Sequence, residues 1–225
     1  MFDRVAAWVR GAPSQMCHVT TATVVDNVDR SAAGRVAIEF GGTEGRQWAR
    51  TATLMAGPDR GTLFIPDIGD EVVVVVFDEG DLQEPIVVGS LWSDRARAPE
   101  PLGTDNERRA IVTRSGTRIV IDDTGDGSVM RLTTAQGQHV TLDDRTPSTI
   151  TIADNSGNTI ALASSGVAVT SSATVTVMAS QVKVAASMVT IDAGMVKVSG
   201  VLTCTTLIAD TVAATNYTPG TGNLL

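Results

Sequence analysis

Residues 175–198 read VTVMASQVKVAASMVTIDAGMVKV. In this stretch, pairs of β-branched residues two positions apart recur every seven residues: Val175/Val177, Val182/Val184, Val189/Ile191 and Val196/Val198. A coiled-coil heptad places its apolar residues three and four apart, whereas a spacing of two is that of a β-strand, in which alternate side chains share a face. Each seven-residue unit is therefore predicted to be a short strand with an inward-facing pair, followed by a corner.

The length of this stretch indicates how many chains build it. A β-helix made of one chain uses roughly 20 residues per coil, so residues 167–212 would form about two coils, fewer than the three or so that a solenoid needs. Three chains that each supply one face would form about six coils from the same residues. A charge-poor, β-rich stretch would also aggregate unless neighbouring chains closed its strand edges. We therefore predict an intertwined homotrimeric needle with the eight paired residues as its core.

A longer repeat precedes the needle. Three segments place a glycine before an alternating strand: residues 115–122 (SGTRIVID), 136–143 (QGQHVTLD) and 156–163 (SGNTIALA). Their glycines are 21 and 20 residues apart, a period typical of a β-solenoid or of stacked hairpins. Residues 111–212 are together assigned to a repetitive β-helix spike.

The N-terminal part has a different composition. Of the 42 charged residues, 37 lie within residues 1–147, and seven of the eight aromatic residues lie within the first 92, so a conventional core is expected only there. Short apolar segments separated by turn signals predict a small barrel or sandwich of five strands, at residues 19–25, 35–40, 47–54, 71–77 and 85–91. The continuous apolar run 72–76 is expected to be buried on both faces. Residues 93–110, which contain prolines, are predicted to be a linker. The whole chain is predicted to be all-β.

Composition also disfavours several functions. The net charge is −8, and residues 1–147 carry 22 acidic residues against 15 arginines, which argues against a nucleic-acid partner. Cys17 and Cys204 cannot form a disulfide framework, so a reducing compartment is expected. No apolar run of about 18 residues is present, and neither a membrane span nor a cleaved secretion signal is expected.

Few residues suggest chemistry. Residues 122–127 (DDTGDG) resemble the start of a calcium loop, but position 133 is Thr where such a loop needs a bidentate Glu. Cys17-His18 has no second Cys/His pair at ligand spacing. The acidic residues at positions 78, 79, 81 and 84 cluster around a glycine turn and are assigned to a solvated loop. We therefore expect no catalytic residue, no metal site and no cofactor.

A set of short motifs carries a family resemblance. They comprise Gly34, Arg35, Trp48, Arg50, Gly57, Arg60, Gly61, Pro66, Gly69, Asp70, Glu71, Gly80, Asp81, Pro85, Gly89, Leu91 and Trp92. Their order and spacing resemble the OB-fold domain of phage baseplate assembly protein V and of the VgrG spike proteins of contractile injection systems. The resemblance implies an OB-fold barrel over residues 19–92, with residues 1–18 contacting a separate hub protein.

The resemblance also implies a function. The protein would be the homotrimeric central spike of a phage baseplate, a tailocin or a type VI-like system, which plugs the hub and punctures the target cell envelope on sheath contraction. It would be assembled in the bacterial cytoplasm and become part of the injection particle. Residues 213–225 would form the tip, where Tyr217, Thr218, Pro219 and Gly220 either dock a PAAR-type tip protein or form a frayed tail. No His-x-His pair is present near the C-terminus, so no apical metal is expected.

One alternative comes from another functional class. A trimeric tailspike that binds or degrades cell-surface carbohydrate would share the repetitive β architecture. It is disfavoured because residues after 150 contain few aromatic side chains on which sugars could stack and no paired carboxylates that could cleave them.

Overall fold

A computed structural model describes residues 17–31, 33–42, 45–77, 84–100 and 103–216. Over these residues the protein is all-β, with fourteen strands and no helix that could cross a membrane. The chain divides into two compact units, Met1–Val175 and Thr176–Leu225. All fourteen strands lie in the first unit.

The N-terminal strands form a closed barrel. The first seven strands of the described chain are β1 (Cys17–Asp26), β2 (Arg35–Phe40), β3 (Gln47–Thr51), β4 (Ala56–Gly57), β5 (Arg60–Gly61), β6 (Glu71–Phe77) and β7 (Ile86–Leu91). The barrel runs in the order β1-β2-β3-β7-β6, and the parallel pair β3–β7 closes it, while β4 and β5 form a separate hairpin. The five strands predicted from the sequence are the five strands of this barrel, as expected for an OB-fold.

Alternation along the barrel strands builds the core. The buried cluster contains Ala22, Val24, Val36, Ile38, Ala49, Val72, Val74 and Val87, with Phe40, Ile65 and Val76 packed against it. The expectation that residues 72–76 are buried on both faces is wrong. Val72 and Val74 are fully buried, but the residues between and after them are only half-buried, because a barrel strand turns just one face to the core.

Asp29 organises the loop between β1 and β2. Its carboxylate is 6% exposed, accepts hydrogen bonds from the backbone N–H groups of Ser31 and Ala33, and pairs with Arg35 at 3.2 Å. The hydrogen bonds from the Arg35 guanidinium, followed by those from Ser31, hold the pKa of Asp29 well below its ordinary value. Arg35 also reaches Glu84 at 3.2 Å and lies 5.8 Å from the centre of the Trp48 ring. These contacts tie the loop to the barrel wall.

The longer repeat forms one antiparallel sheet. Its strands are β8 (Arg108–Val112), β9 (Arg118–Asp122), β10 (Val129–Thr133), β11 (His139–Asp143), β12 (Thr149–Ala153), β13 (Thr159–Ala163) and β14 (Gly166–Thr170). Each strand pairs with the next one in the chain. The glycines of the repeat, Gly116, Gly137 and Gly157, occupy tight turns at φ values of +90°, +91° and +88°, which favour glycine. Of the two architectures typical of this period, the protein has stacked hairpins.

The barrel and this repeat sheet are joined by ionic contacts. Glu100, in the segment between them, pairs with Arg108 at 3.3 Å and also with Arg118. Arg114, in the first turn of the sheet, pairs with Asp67 of the barrel at 2.5 Å. Glu100 thus anchors the predicted linker, residues 93–110, on the sheet. Strand β8 begins at Arg108, within the range predicted for the linker.

Residues 171–216 have a different backbone. The structure contains no strand, helix or hydrogen-bonded turn between Ser171 and Asn216. The backbone bends at Ser180, Ser187 and Gly194, which are seven residues apart and lie between the valine pairs where corners were predicted. The segment left without strand pairing in its own chain therefore begins after Thr170, later than residue 111, where the spike was expected to start.

The eight residues predicted as the needle core are not buried within one chain. Their exposed fractions are 60% and 71% for Val175 and Val177, 61% and 70% for Val182 and Val184, 60% and 68% for Val189 and Ile191, and 59% and 54% for Val196 and Val198. The most exposed are the second members of the first three pairs, Val177, Val184 and Ile191. Each seven-residue unit supplies only one face, and no described part of the same chain covers that face. Exposure in a single chain does not test the core expected for three chains, so burial of these residues stays a prediction for an assembly.

We expect Asp29→Asn to destabilise the barrel at neutral pH. The folded state depresses the pKa of Asp29 below its unfolded value, so the charged carboxylate stabilises the fold above about pH 4, and this contribution is lost as the pH falls. The melting temperature of Asp29→Asn should lie a few degrees below that of the wild type at pH 7, and the gap should narrow as the pH is lowered from 5 to 3. Thermal melts followed by tryptophan fluorescence measure both.

Asp126→Asn provides the control, because it removes the same charge from an exposed turn. Asp126→Asn should leave the melting temperature unchanged both at pH 7 and at pH 3. A gap for Asp29→Asn that stays constant from pH 7 to pH 3 would contradict the role given to the Asp29 carboxylate.

Candidate assembly surface

The repeat sheet has one apolar face. The antiparallel register aligns alternate residues in rows across the strands, and the residues of alternate rows point to the same side. Two rows on one side are apolar over almost their whole length. One contains Ile121, Met130, Leu142, Ile150, Leu162 and Val167, and the other contains Ile111, Ile119, Leu132, Val140, Ile152, Ile160 and Val169. We call these thirteen residues the apolar face.

The apolar face is uncovered within one chain. Eleven of its thirteen side chains are between 37% and 69% exposed, and Ile121 and Val140 are half-buried. Soluble monomers rarely leave a continuous apolar patch of this size open to water, and such patches generally mark an interaction surface. The sequence carries this signal as alternating apolar residues in each repeat, but the alternation alone indicated only strands and not a shared face.

The opposite face of the sheet is polar and largely satisfied by its own contacts. Arg108 donates to the Asp122 carboxylate at 2.8 Å, and Arg145 pairs with Asp143 at 2.6 Å. The pKa of Asp122 is held low by the hydrogen bond from Thr124 and then by Arg108, and the pKa of Asp143 is held low by Arg145. Asp122, the first residue of the calcium-like segment, is thus engaged in an ion pair and a turn. Val129 and Thr141 of this face are buried within the chain.

The valine pairs form a second uncovered apolar surface. All eight side chains, from Val175 to Val198, are between 54% and 71% exposed. Their backbone has no strand partner among the described residues of its own chain. Backbone N–H and C=O groups need partners once they leave water, so this segment can bury its valines only if another strand also pairs with it. The arrangement is suited to association between chains.

The residues of the OB-fold motifs lie mainly at turns and strand junctions. The Gly69 N–H donates to the carbonyl oxygen of Val24 at 2.8 Å, and Gly69 has a φ of +97°. The Asp70 carboxylate accepts the N–H of Asp67 at 2.9 Å. The Arg50 N–H donates to the carbonyl oxygen of Pro85 at 2.9 Å, where β3 meets β7. These contacts are structural and bring no group together for catalysis.

The remaining predicted residues are distributed as follows. Gly34 is in the turn before β2, Pro66 precedes β6 and accepts a hydrogen bond from Asn27, and Gly57, Arg60 and Gly61 form the β4–β5 hairpin. Glu71 begins β6 opposite Leu91, Gly89 lies in β7, and Trp92 follows β7 and is exposed. Gly80, Asp81, Tyr217, Thr218, Pro219 and Gly220 lie outside the described residues, as do residues 1–16 of the predicted hub-contacting segment. In the described ranges, no three His, Cys, Asp or Glu side chains cluster as metal ligands do.

Comparison with known proteins identifies two domains. Residues 20–92 match the type VI secretion system/phage-baseplate injector OB domain, and residues 129–202 match the phage baseplate V C-terminal trimerisation domain. The chain is also 41% identical over 103 residues to the type VI secretion system spike proteins VgrG2a and VgrG2b of Pseudomonas aeruginosa. The match covers 40% of this chain and 12% and 10% of those relatives, so the chain spans about a tenth of their length. Almost all of the barrel lies within the first match, and strands β10 to β14 of the repeat sheet lie within the second. The chain therefore belongs to the family of baseplate V and VgrG-like spike proteins.

Proposed function

We propose that the protein is the homotrimeric central spike of a contractile injection machine, which plugs a hub and punctures the target cell envelope when the sheath contracts. The observation that carries the proposal is the pair of uncovered surfaces, the apolar face and the valine pairs, in and around a domain matched as a trimerisation domain. Both surfaces need neighbouring copies, and three copies supply one face each of a needle.

The apolar burial available is large enough to hold such an assembly. Complete burial of the eight valine and isoleucine side chains of the pairs contributes about 12–24 kcal/mol per chain, at about 1.5–3 kcal/mol each, as an upper bound. The apolar face adds thirteen more side chains, most of which are already partly covered. Because strands from three chains would pair along the same length, one chain could leave only by breaking many contacts together.

The role that follows is mechanical rather than catalytic. The barrel domains at residues 19–92 would form a collar bound through residues 1–18 to a separate hub protein, and the needle would project away from it. The tip segment at residues 213–225 would dock a PAAR-type protein. The net charge of −8 supports a spike without a nucleic-acid partner. Assembly in the bacterial cytoplasm would precede incorporation into a phage tail, a tailocin or a secretion system.

We expect the purified full-length chain to be a trimer in solution. Light scattering should give three times 23.4 kDa. The same species should persist in SDS without heating, because separation of the chains requires apolar burial and strand pairing to be lost together. A stable monomer at micromolar concentration would contradict the proposal.

Ile152→Asn tests the apolar face. Ile152 is 46% exposed in one chain, so in a monomer this change should have a small effect. In a trimer it places an amide in a dry interface, and we expect the temperature at which the SDS-resistant species dissociates to fall by about 5–10 °C.

The neighbouring Thr151 gives a matched control, because it lies in the same strand, β12, on the polar face. Thr151→Asn should leave the dissociation temperature within about 2 °C of the wild type, since it exchanges one polar side chain for another outside the apolar face. If the two variants dissociated at the same temperature, the apolar face would not be the interface.

A further inference from the structure

The spacing of the backbone bends changes near residue 200. The bends at Ser180, Ser187 and Gly194 are seven residues apart. The bends that follow lie at Ser199–Gly200, Thr205, Asp210 and Thr215–Asn216, so that Gly200, Thr205, Asp210 and Thr215 are five residues apart. The match to the trimerisation domain ends at residue 202, so it does not account for this change. We call residues 200–216 the five-residue section.

The apolar side chains of this section follow the same period. Leu202, Leu207 and Val212 stand two positions after a bend and are 69%, 65% and 59% exposed. These values fall within the range of the valine pairs, whereas the adjacent Val201 and Ile208 are 91% and 93% exposed. Each unit therefore has one side chain as exposed as the valine pairs, whereas Val201 and Ile208 beside them are almost fully exposed.

The corners of both sections share one chemical feature. The residue immediately before each bend is small: Ala179, Ala186 and Ala193 in the seven-residue section, and Cys204, Ala209 and Ala214 in the five-residue section. A tight corner leaves little room for a side chain, and alanine or cysteine fits it. Cys204 thus occupies the position that alanine takes elsewhere. Sequence, bends and exposure all follow the same five-residue step.

We propose that the five-residue section is a second, narrower part of the needle, in which three copies of this chain close around Leu202, Leu207 and Val212. The inference rests on the proposed homotrimer. The partners of the five-residue section are two further copies of the same chain. Three observations support it: the section continues directly from the matched trimerisation domain, its backbone lacks strand partners among the described residues of its own chain, and its less exposed apolar residues recur with the bends.

The shorter step determines the width of this part of the needle. At about 3.3 Å per residue, a seven-residue face spans about 23 Å and a five-residue face about 17 Å. The narrower face has room for one inward side chain per copy instead of two, which is the number found in each unit. The seven-residue step expected as far as residue 212 thus ends near residue 200, and the needle tapers from there.

Leu207→Ser and Ile208→Ser form the first test, each made in the full-length chain. The readout is the temperature at which the SDS-resistant trimer dissociates. We expect Leu207→Ser to lower it by about 5–10 °C, because the hydroxyl replaces an inward side chain in all three copies. Ile208→Ser should lower it by less than about 2 °C, because its side chain faces water.

Insertion of whole units is the second test. A second copy of residues 205–209 (TTLIA) after Ala209 should leave the dissociation temperature unchanged or higher, since it adds one layer in step. Insertion of residues 187–193 (SMVTIDA) at the same place should lower it, because a wide layer would interrupt the narrow section.

The outcomes separate this inference from the proposed function. A wild-type chain that is not a trimer overturns both. A trimeric wild type in which Ile208→Ser is as damaging as Leu207→Ser, or in which the two insertions behave alike, overturns only the five-residue section.

Discussion

A single-layer sheet cannot bury its own apolar face, and most of this molecule is organised by that constraint. Strands β8 to β14 satisfy their hydrogen bonds with one another, but the alternation along each strand places thirteen apolar residues on one side with nothing in the described chain to cover them. After Thr170 even the hydrogen bonds lack strand partners among the described residues of the same chain. Dependence on other chains therefore increases along the sequence. The barrel buries its own core, the sheet leaves its apolar face exposed, and the segment after Thr170 also lacks strand partners among the described residues.

The barrel shows how the same alternation is satisfied within one chain. Five strands curve until their apolar faces meet, so that Val36, Ile38 and Val72 are fully buried. The polar contacts around Asp29 and Arg35 tie the loop between β1 and β2 to the barrel wall. Charged residues become rare only after residue 147, and such residues would be costly within a shared interface.

Much of this organisation could be predicted from residue patterns. The five barrel strands were located within a few residues because glycine and charged turns separate apolar segments. The corners between the valine pairs were likewise predicted from the step of seven. Periodicity does not specify the partner of a strand, so the pairing of β8 to β14 within one chain could not be distinguished from a solenoid. Nor did it reveal that Val72, Val74 and Val76 pack in or against the core while Val73 and Val75 are only half-buried. The five-residue step was missed because Leu202, Leu207 and Val212 give only three repeats, and Val201 and Ile208 beside them obscure the spacing.

The ionic contacts of Glu100 and Asp67 have a consequence for the connection between the barrel and the repeat sheet. Two folded parts that are joined only by an unanchored segment can rotate about that segment. Here Glu100 holds Arg108 and Arg118 in two adjacent strands, and Asp67 holds Arg114 in the turn that connects them. The Arg114–Asp67 pair crosses from the sheet to the barrel, while Glu100 fastens the end of the connecting segment to the sheet. Because these pairs are partly exposed, dissolved salt screens them, and the connection between the barrel and the sheet is held less firmly as the ionic strength rises.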